Sequence, residues 1–237
     1  MPVILHIETS TSVCSTALTA EGSVLCHREN FDGRNHAALL SDFVKACLDH
    51  CEEHEIKPES VAVSLGPGSY TGLRIGLSEA KGLAYALNVP LIGVNTLELI
   101  TTRVMFSSDS IEEDAVFVPM IDARRMEVYT AAYDMGLNHI VEPQPHILTE
   151  DSLSFLNPEG CPMYFFGDGA AKARELLENA ASEKGIKAIF VDNVTPLAVD
   201  MIALAERAHM RRDFLDLAYS VPTYLKDFQA TKPRPLF

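Results

Sequence analysis

The chain has 237 residues, 47% of them apolar, enough for one large domain or two small lobes around a sizeable core. Its 19 Lys and Arg against 33 Asp and Glu give a formal net charge of −14, which excludes a chain that grips nucleic acid unaided, because phosphate binding needs a basic surface. No apolar run reaches the roughly 18 residues of a membrane span; the opening MPVILHIETS has no basic leader and reads as a strand, and five scattered cysteines suit a reducing cytoplasm.

Residues 2–8 and 13–20 read as two strands, Glu21-Gly22 as a turn and 23–30 as a third strand, so an antiparallel meander opens the chain. Leu39, Leu40, Phe43, Val44, Cys47, Leu48 and Cys51 recur at helical spacing and predict an amphipathic helix over 35–54. VAVSL (61–65) is a buried strand, 70–87 a helix, PLIGV (90–94) a strand and 96–106 a helix. That order suits a mixed sheet with helices on its faces. After a polar acidic link (107–114) the pattern restarts with a hairpin over 115–134 turning at Ala123-Arg124-Arg125. A strand over 163–169 ends in Gly167-Asp168-Gly169; a helix over 170–182, a strand over 187–192 and a helix over 195–210 follow, the last with Thr195 as N-cap and Pro196 at its first position. The Pro-containing end reads as an extended tail. The two halves look like degenerate versions of one strand-then-helix unit.

SLGPGSYTGLRIGLSEAKGLAYAL (Ser64 to Leu87) places a Gly-rich turn between a strand and a helix, the way many proteins hold a phosphate. Gly66 and Gly68 lead to no Walker lysine, and Gly72 comes one residue late for the dinucleotide pattern. Gly72, Gly76 and Ala80 instead share one helix face, a shallow groove where another backbone can approach. Glycine inside a helix costs about 0.5–1 kcal/mol relative to Ala, so close packing or partner docking is the expected return. The hydroxyl-rich turn after Glu8, with Thr9, Ser10 and Thr11, is at most a degenerate nucleotide site together with Gly66 and Gly68; it reads equally as a turn satisfied by its own hydroxyls. Cys47, His50, Cys51 and His54 are spaced to share a metal on one helix, but a single helix cannot close a four-ligand site, and the cysteines continue the apolar stripe. Asp122–Arg125 reads as a solvated hairpin tip, and Gly167–Gly169 as a turn capping a helix through Asp168 or Gly169. No triad or H-E-x-x-H is legible, so no catalytic or metal-binding residue is expected in this chain.

Together, ILHIETSTSVCSTAL, RNHAALL, the Gly-rich run through NVPLIGVNTLELI, PMIDARRMEVYTAAY and GDGA resemble the TsaB family, also called YeaZ. The likeness runs from residue 4 to about 134, with weaker agreement to PTYLKD, and GPGSYTGLRIG is highly specific for that family. The resemblance implies an α/β fold of two RNase H-like lobes of the actin, Hsp70 and sugar-kinase type, with mixed sheets flanked by helices. Lobe one would span 1–104 and lobe two 105–194, a helix at 195–212 would return to lobe one, and 213–237 would form the tail. It implies a non-catalytic subunit of the complex that places threonylcarbamoyl on a tRNA adenosine beside the anticodon, with a TsaD-like catalytic paralogue and a TsaE-like ATPase as partners. In the paralogue, a strand like Leu91–Val94 precedes an H-H-M-E-G-H-like run whose spaced histidines hold a metal. Here Thr96 and Ile100 stand at those places, and neither side chain replaces an imidazole. A C-D-E-T-G-like run is likewise replaced by TSVCS.

No cofactor is therefore expected on this chain, with ATP and metal on its partners and tRNA met only through the complex. The resemblance places helices 35–54 and 70–87 in a bundle with the partner, with His36, Leu40, Phe43, Tyr70, Gly72, Leu73, Gly76, Leu77 and Ala80 at an interface of standard size, about 1,600 Å². The same surface would self-pair into a homodimer when the chain is alone. His36 could cap, pair across the interface or stay exposed. The alternative reading is a metal- or ATP-dependent hydrolase or phosphotransferase of the same fold, the glycoprotease-like label.

Overall fold

The structure, a computed structural model, describes residues 2–33, 35–107, 111–157 and 160–226. The first half opens with an antiparallel meander of β1 (Val3–Glu8), β2 (Cys14–Ala20) and β3 (Ser23–Asn30). There follow α1 (His36–Glu53), β4 (Ser60–Gly66), α2 (Tyr70–Leu87), β5 (Leu91–Asn95) and α3 (Thr96–Ser107). The sheet order is β3-β2-β1-β4-β5, with β4 parallel to β1 and β5 parallel to β4.

The second half repeats this plan with β6 (Val116–Asp122), β7 (Glu127–Tyr133), β8 (His139–Ile147), α4 (Ser152–Leu156), β9 (Met163–Phe166), α5 (Ala170–Lys184) and β10 (Ala188–Val191). Its sheet, β10-β9-β6-β7-β8, is again a meander with two parallel strands added beside the first. A 3-10 turn (Ala198–Met201) and α6 (Ile202–Arg211) complete the regular elements. Two mixed sheets of the same order, each flanked by helices, are two RNase H-like lobes of the actin-like type.

The central strands β1 and β4 are buried on both faces because both faces are covered. Leu5, Ile7, Val61 and Val63 pack under Leu40, Val44, Cys47, Leu77 and Ala80 of α1 and α2. Ile4, Ala62, Ile92 and Val94 pack on Leu99 of α3 and on Met201, Leu204 and Ala205, so α6 lies against the first sheet. The other side of α3, with Leu97, Ile100 and Val104, packs on Phe117, Ile121 and Tyr133 of the second sheet. α3 is thus wedged between the lobes.

Most element bounds agree with the sequence reading within two residues. The last helix does not start at Thr195. Leu197 is extended (φ −128°, ψ 149°), and the helical turn begins at Ala198, whose N–H donates to Ser15 Oγ of β2 at 2.9 Å. The donor that Thr195 would have capped is satisfied from the sheet, while the Thr195 carbonyl accepts from Arg103 Nη1 at 3.2 Å. β8 and α4 were not foreseen. Pro143 and Pro145 disguise β8, an edge strand where proline is tolerated, and five residues of α4 are too few to show a period. Residues 108–110 of the acidic link and the tail from 227 lie outside the described residues.

Candidate docking surface and interlobe cleft

The Gly-rich segment is best understood from its contacts. Ser69 caps α2, its Oγ accepting from Gly72 N at 3.2 Å, while Ser69 N donates to the Ser10 carbonyl at 2.6 Å. Thr9 Oγ1 donates to the Gly72 carbonyl at 2.8 Å. A Cβ added at Gly68 would land on the Ser10 carbonyl oxygen, one at Gly72 on that of Thr9, and one at Gly76 on Thr9 Oγ1. The small face of α2 therefore seats the turn between β1 and β2 of its own chain.

This corrects the expected orientation of the interface residues. Gly72, Gly76 and Ala80 point inward, and Leu40, Leu73 and Leu77 are core residues at 1%, 1% and 5% exposure. The reason is amphipathicity: the same stripe cannot cover the sheet and face a partner. Of the nine expected residues, His36, Phe43 and Tyr70 keep partial exposure. His36 Nε2 lies 3.1 Å from the Thr11 carbonyl, which ties the start of α1 to the same turn.

The outward side of these helices carries a groove of about 590 Å³ lined by Ala37, Leu40, Tyr70, Thr71, Arg74, Ile75, Ser78 and Glu79. Farther along α2, Tyr85 is 80% exposed. Arg74 and Ile75 were missed by the sequence reading, which followed the glycines; the i, i+4 spacing of Tyr70 and Arg74 was the available signal.

Between the lobes lies a cleft of about 840 Å³ that brings Ser10, Thr11, Gly68, Ser69 and Tyr70 opposite Asp122, Arg124, Tyr129 and Asp168. Thr9, Ser10, Thr11, Gly66 and Gly68 do gather at the Gly-rich turn, but they hold one another. Ser10 N donates to Glu8 Oε1 at 2.5 Å, and Val13 N to Thr11 Oγ1 at 3.4 Å. Glu8 is fully buried beneath the turn, and burial pushes its carboxyl up to about 7 despite Ser10 and Ser64. The cleft sets the acids Asp122 and Asp168 beside the cations Arg124 and Lys226, while the Thr9 and Ser10 carbonyls crowd the Gly-rich turn from the side of its own chain. The Gly-rich turn itself is filled by the β1–β2 turn, where a phosphate loop would be open.

The hairpin tip is less free than its charge suggested. Lys172 Nζ bonds Asp122 and, at 2.8 Å, the Arg125 carbonyl. Asp168 Oδ1 accepts from Asp122 N at 2.8 Å, so Gly169 alone is the cap residue of α5. Burial pushes the Asp168 carboxyl up.

Thr96 and Ile100 are both fully buried on α3, Ile100 within the interlobe core beside Phe117 and Ile121. A hydroxyl and an alkyl group inside packed apolar surface do not fit a transition metal. On α1 the quartet splits. Cys47 and Cys51 turn into the core, where burial pushes the Cys47 thiol up to about 12. His50 and His54 stay outside with rings stacked at 4.1 Å, and Glu53 brings a donor atom within 4.8 Å of theirs. His54 Nδ1 is already 3.0 Å from the His50 carbonyl.

The family model that matches the chain, over residues 30–233, is that of TsaD, tRNA N6-adenosine threonylcarbamoyltransferase. Among curated proteins, the chain is 31% identical over 184 residues to the tRNA threonylcarbamoyladenosine biosynthesis protein TsaB of Bacillus subtilis, covering 77% of this chain and 78% of that protein. It is 28% identical over 235 residues to the protein of the same name from Escherichia coli, covering 98% of both. A solved Pseudomonas aeruginosa structure, described as similar to peptidase YeaZ, superposes with a TM-score of 0.74 at 26% identity over 95% of this chain and 100% of that one.

Proposed function

Because the chain belongs to the TsaB (YeaZ) family and acts in tRNA threonylcarbamoyladenosine synthesis, we propose that it is a non-catalytic subunit that docks and stabilises a TsaD-like catalytic paralogue. The docking surface is the outward groove of α1 and α2. A TsaE-like ATPase joins the assembly, and the chain self-pairs through the same groove when alone. ATP and metal act on the partner subunits, and tRNA is met through the complex, as the net charge of −14 favours. No described helix is long and apolar enough to cross a membrane, and a cytoplasmic location follows from the tRNA substrate.

The observation that carries this reading is the burial of Thr96 and Ile100 where the paralogue is expected to carry its metal-binding histidines. The Gly-rich turn adds to it. That turn is closed onto Thr9 and Ser10 of its own chain, which favours packing over phosphate binding at the start of α2.

The test is a drop-out reconstitution with the TsaD-like and TsaE-like proteins, the carbamoyl-adenylate synthase, threonine, bicarbonate, ATP and tRNA. Modified adenosine is followed over many turnovers with and without this chain. Loss of product without it supports the docking role. Equal product without it, or ATP hydrolysis by the chain alone, overturns that role in favour of an activity of its own.

A further inference from the structure

After α6 the chain does not trail away. Leu215 N donates to the Leu91 carbonyl at 2.8 Å, Lys81 Nζ to the Ala218 carbonyl at 3.3 Å, and Thr223 N to the Leu65 carbonyl at 2.7 Å. The segment therefore runs from β5 past α2 to the Gly-rich turn. A Cβ at Gly66 would stand 2.8 Å from the Thr223 carbonyl oxygen, so the turn is built to receive it. The next residue, Tyr224, packs against Tyr70 in a tilted pair with ring centroids 5.0 Å apart. Its hydroxyl accepts from Arg74 Nε at 2.9 Å, and the Arg74 guanidinium carbon sits 4.2 Å over the Tyr70 ring.

Arg74 is thereby held at the edge of the groove, exposed, with its Nε direction set. Among the described residues, its electrostatic neighbours are the two tyrosines. On a chain of net charge −14, an exposed and pre-oriented guanidinium on the outward face is a fixed positive point for an acidic partner. A guanidinium fixed between aromatic rings has little rotamer freedom left to lose, and its fork matches a carboxylate bidentately.

Taking the docking role as its premise, we propose that the docking surface is composite: the C-terminal strap supplies Tyr224, and Arg74, held by Tyr224 and Tyr70, anchors a carboxylate of the catalytic paralogue. The α1–α2 groove gives the contact its area, and the strap gives it a charged fixed point.

The experiment measures binding of the paralogue to the full-length chain by biolayer interferometry at two salt concentrations. The variants are Arg74→Gln, Arg74→Lys, Tyr224→Leu and, in the groove itself, Ser78→Arg; unfolding temperatures are recorded for all. Arg74→Gln is expected to weaken binding at least tenfold and to flatten its salt dependence. Arg74→Lys is expected to recover the salt dependence but not the affinity, since an ammonium lacks the fork. Tyr224→Leu is expected to weaken binding severalfold at an unchanged unfolding temperature. If Arg74→Gln and Tyr224→Leu bind within twofold of wild type while Ser78→Arg does not bind, the anchor is wrong and the groove stands. If Ser78→Arg also binds normally, the paralogue docks elsewhere and the groove falls with the anchor; if the wild type itself does not bind the paralogue, the docking role falls.

Discussion

Thr9 Oγ1 reaches the Gly72 carbonyl at 2.8 Å because neither Gly72 nor Gly76 raises a Cβ between the β1–β2 turn and α2. This contact explains why a helix tolerates two glycines one turn apart. Their intrinsic cost is offset by seating a turn that would otherwise leave polar groups buried and unpaired.

Gly76→Ala should therefore lower stability by about 1–3 kcal/mol, the usual cost of overpacking, although helix propensity alone would favour it. Gly82, on the same helix, has nothing within 4 Å of an added Cβ. Gly82→Ala should stabilise by about 0.5–1 kcal/mol. Urea midpoints that move in the same direction for both would refute the close-contact account.

If self-association and paralogue binding both use the outward groove, as proposed, they exclude each other. Ser78 is exposed there, so Ser78→Arg should leave stability within about 0.5 kcal/mol of wild type. Size-exclusion chromatography should show the variant as a monomer at concentrations where the wild type is dimeric, and adding the paralogue to the wild type should dissociate the dimer. A stable ternary species of two copies with the paralogue would place the self-contact elsewhere.

Arg103 ties α3 to the 3-10 turn, with Nη1 2.9 Å from Asp200 Oδ2 and 3.2 Å from the Thr195 carbonyl. The pair is only partly exposed, at 29% and 19%. Arg103→Met leaves Asp200 uncompensated and should cost about 1–3 kcal/mol, less than a fully buried pair would. Arg103→Met/Asp200→Asn should regain most of that in thermal unfolding. A double variant no more stable than Arg103→Met would show that the Thr195 contact carries the effect.

Much of this architecture was legible because local signals agreed with tertiary ones. Tyr70–Leu87 shows its period over five turns and ends at Asn88 in the left-handed conformation, so both bounds were readable. The start of the 3-10 turn was not, because its donor is satisfied by Ser15, far away in sequence. The side of α2 that faces outward was also hidden. Three small residues on one helix face mean close approach, but nothing in their spacing says whether the approaching backbone belongs to the same chain. Glu8 escaped notice as a single acid at a strand end, and the role of Tyr224 depends on a segment without periodicity.

Two buried titratable groups on β1 should give the chain an unusual pH profile. His6 is fully buried, with Nε2 2.7 Å from Thr19 Oγ1, and burial pulls its pKa from 6.5 to about 3. Its contribution is whole above pH 6.5 and is lost as pH falls toward 3, because the unfolded chain takes up the proton first. Glu8 is raised from 4.5 to about 7, so its contribution is whole below pH 4.5 and is lost as pH rises toward 7. Each limb has a slope near 1.4 kcal/mol per pH unit. Between pH 4.5 and 6.5 the two oppose each other, and their joint contribution to stability should be nearly flat there. His6→Gln should then unmask Glu8, with stability falling as pH rises through that window. Glu8→Gln, which keeps an acceptor for Ser10 N, should show the reverse slope. Urea unfolding at pH 4.5, 5.5 and 6.5 decides the matter. Parallel profiles for wild type and both variants would mean that neither group is held in the uncharged form its burial demands.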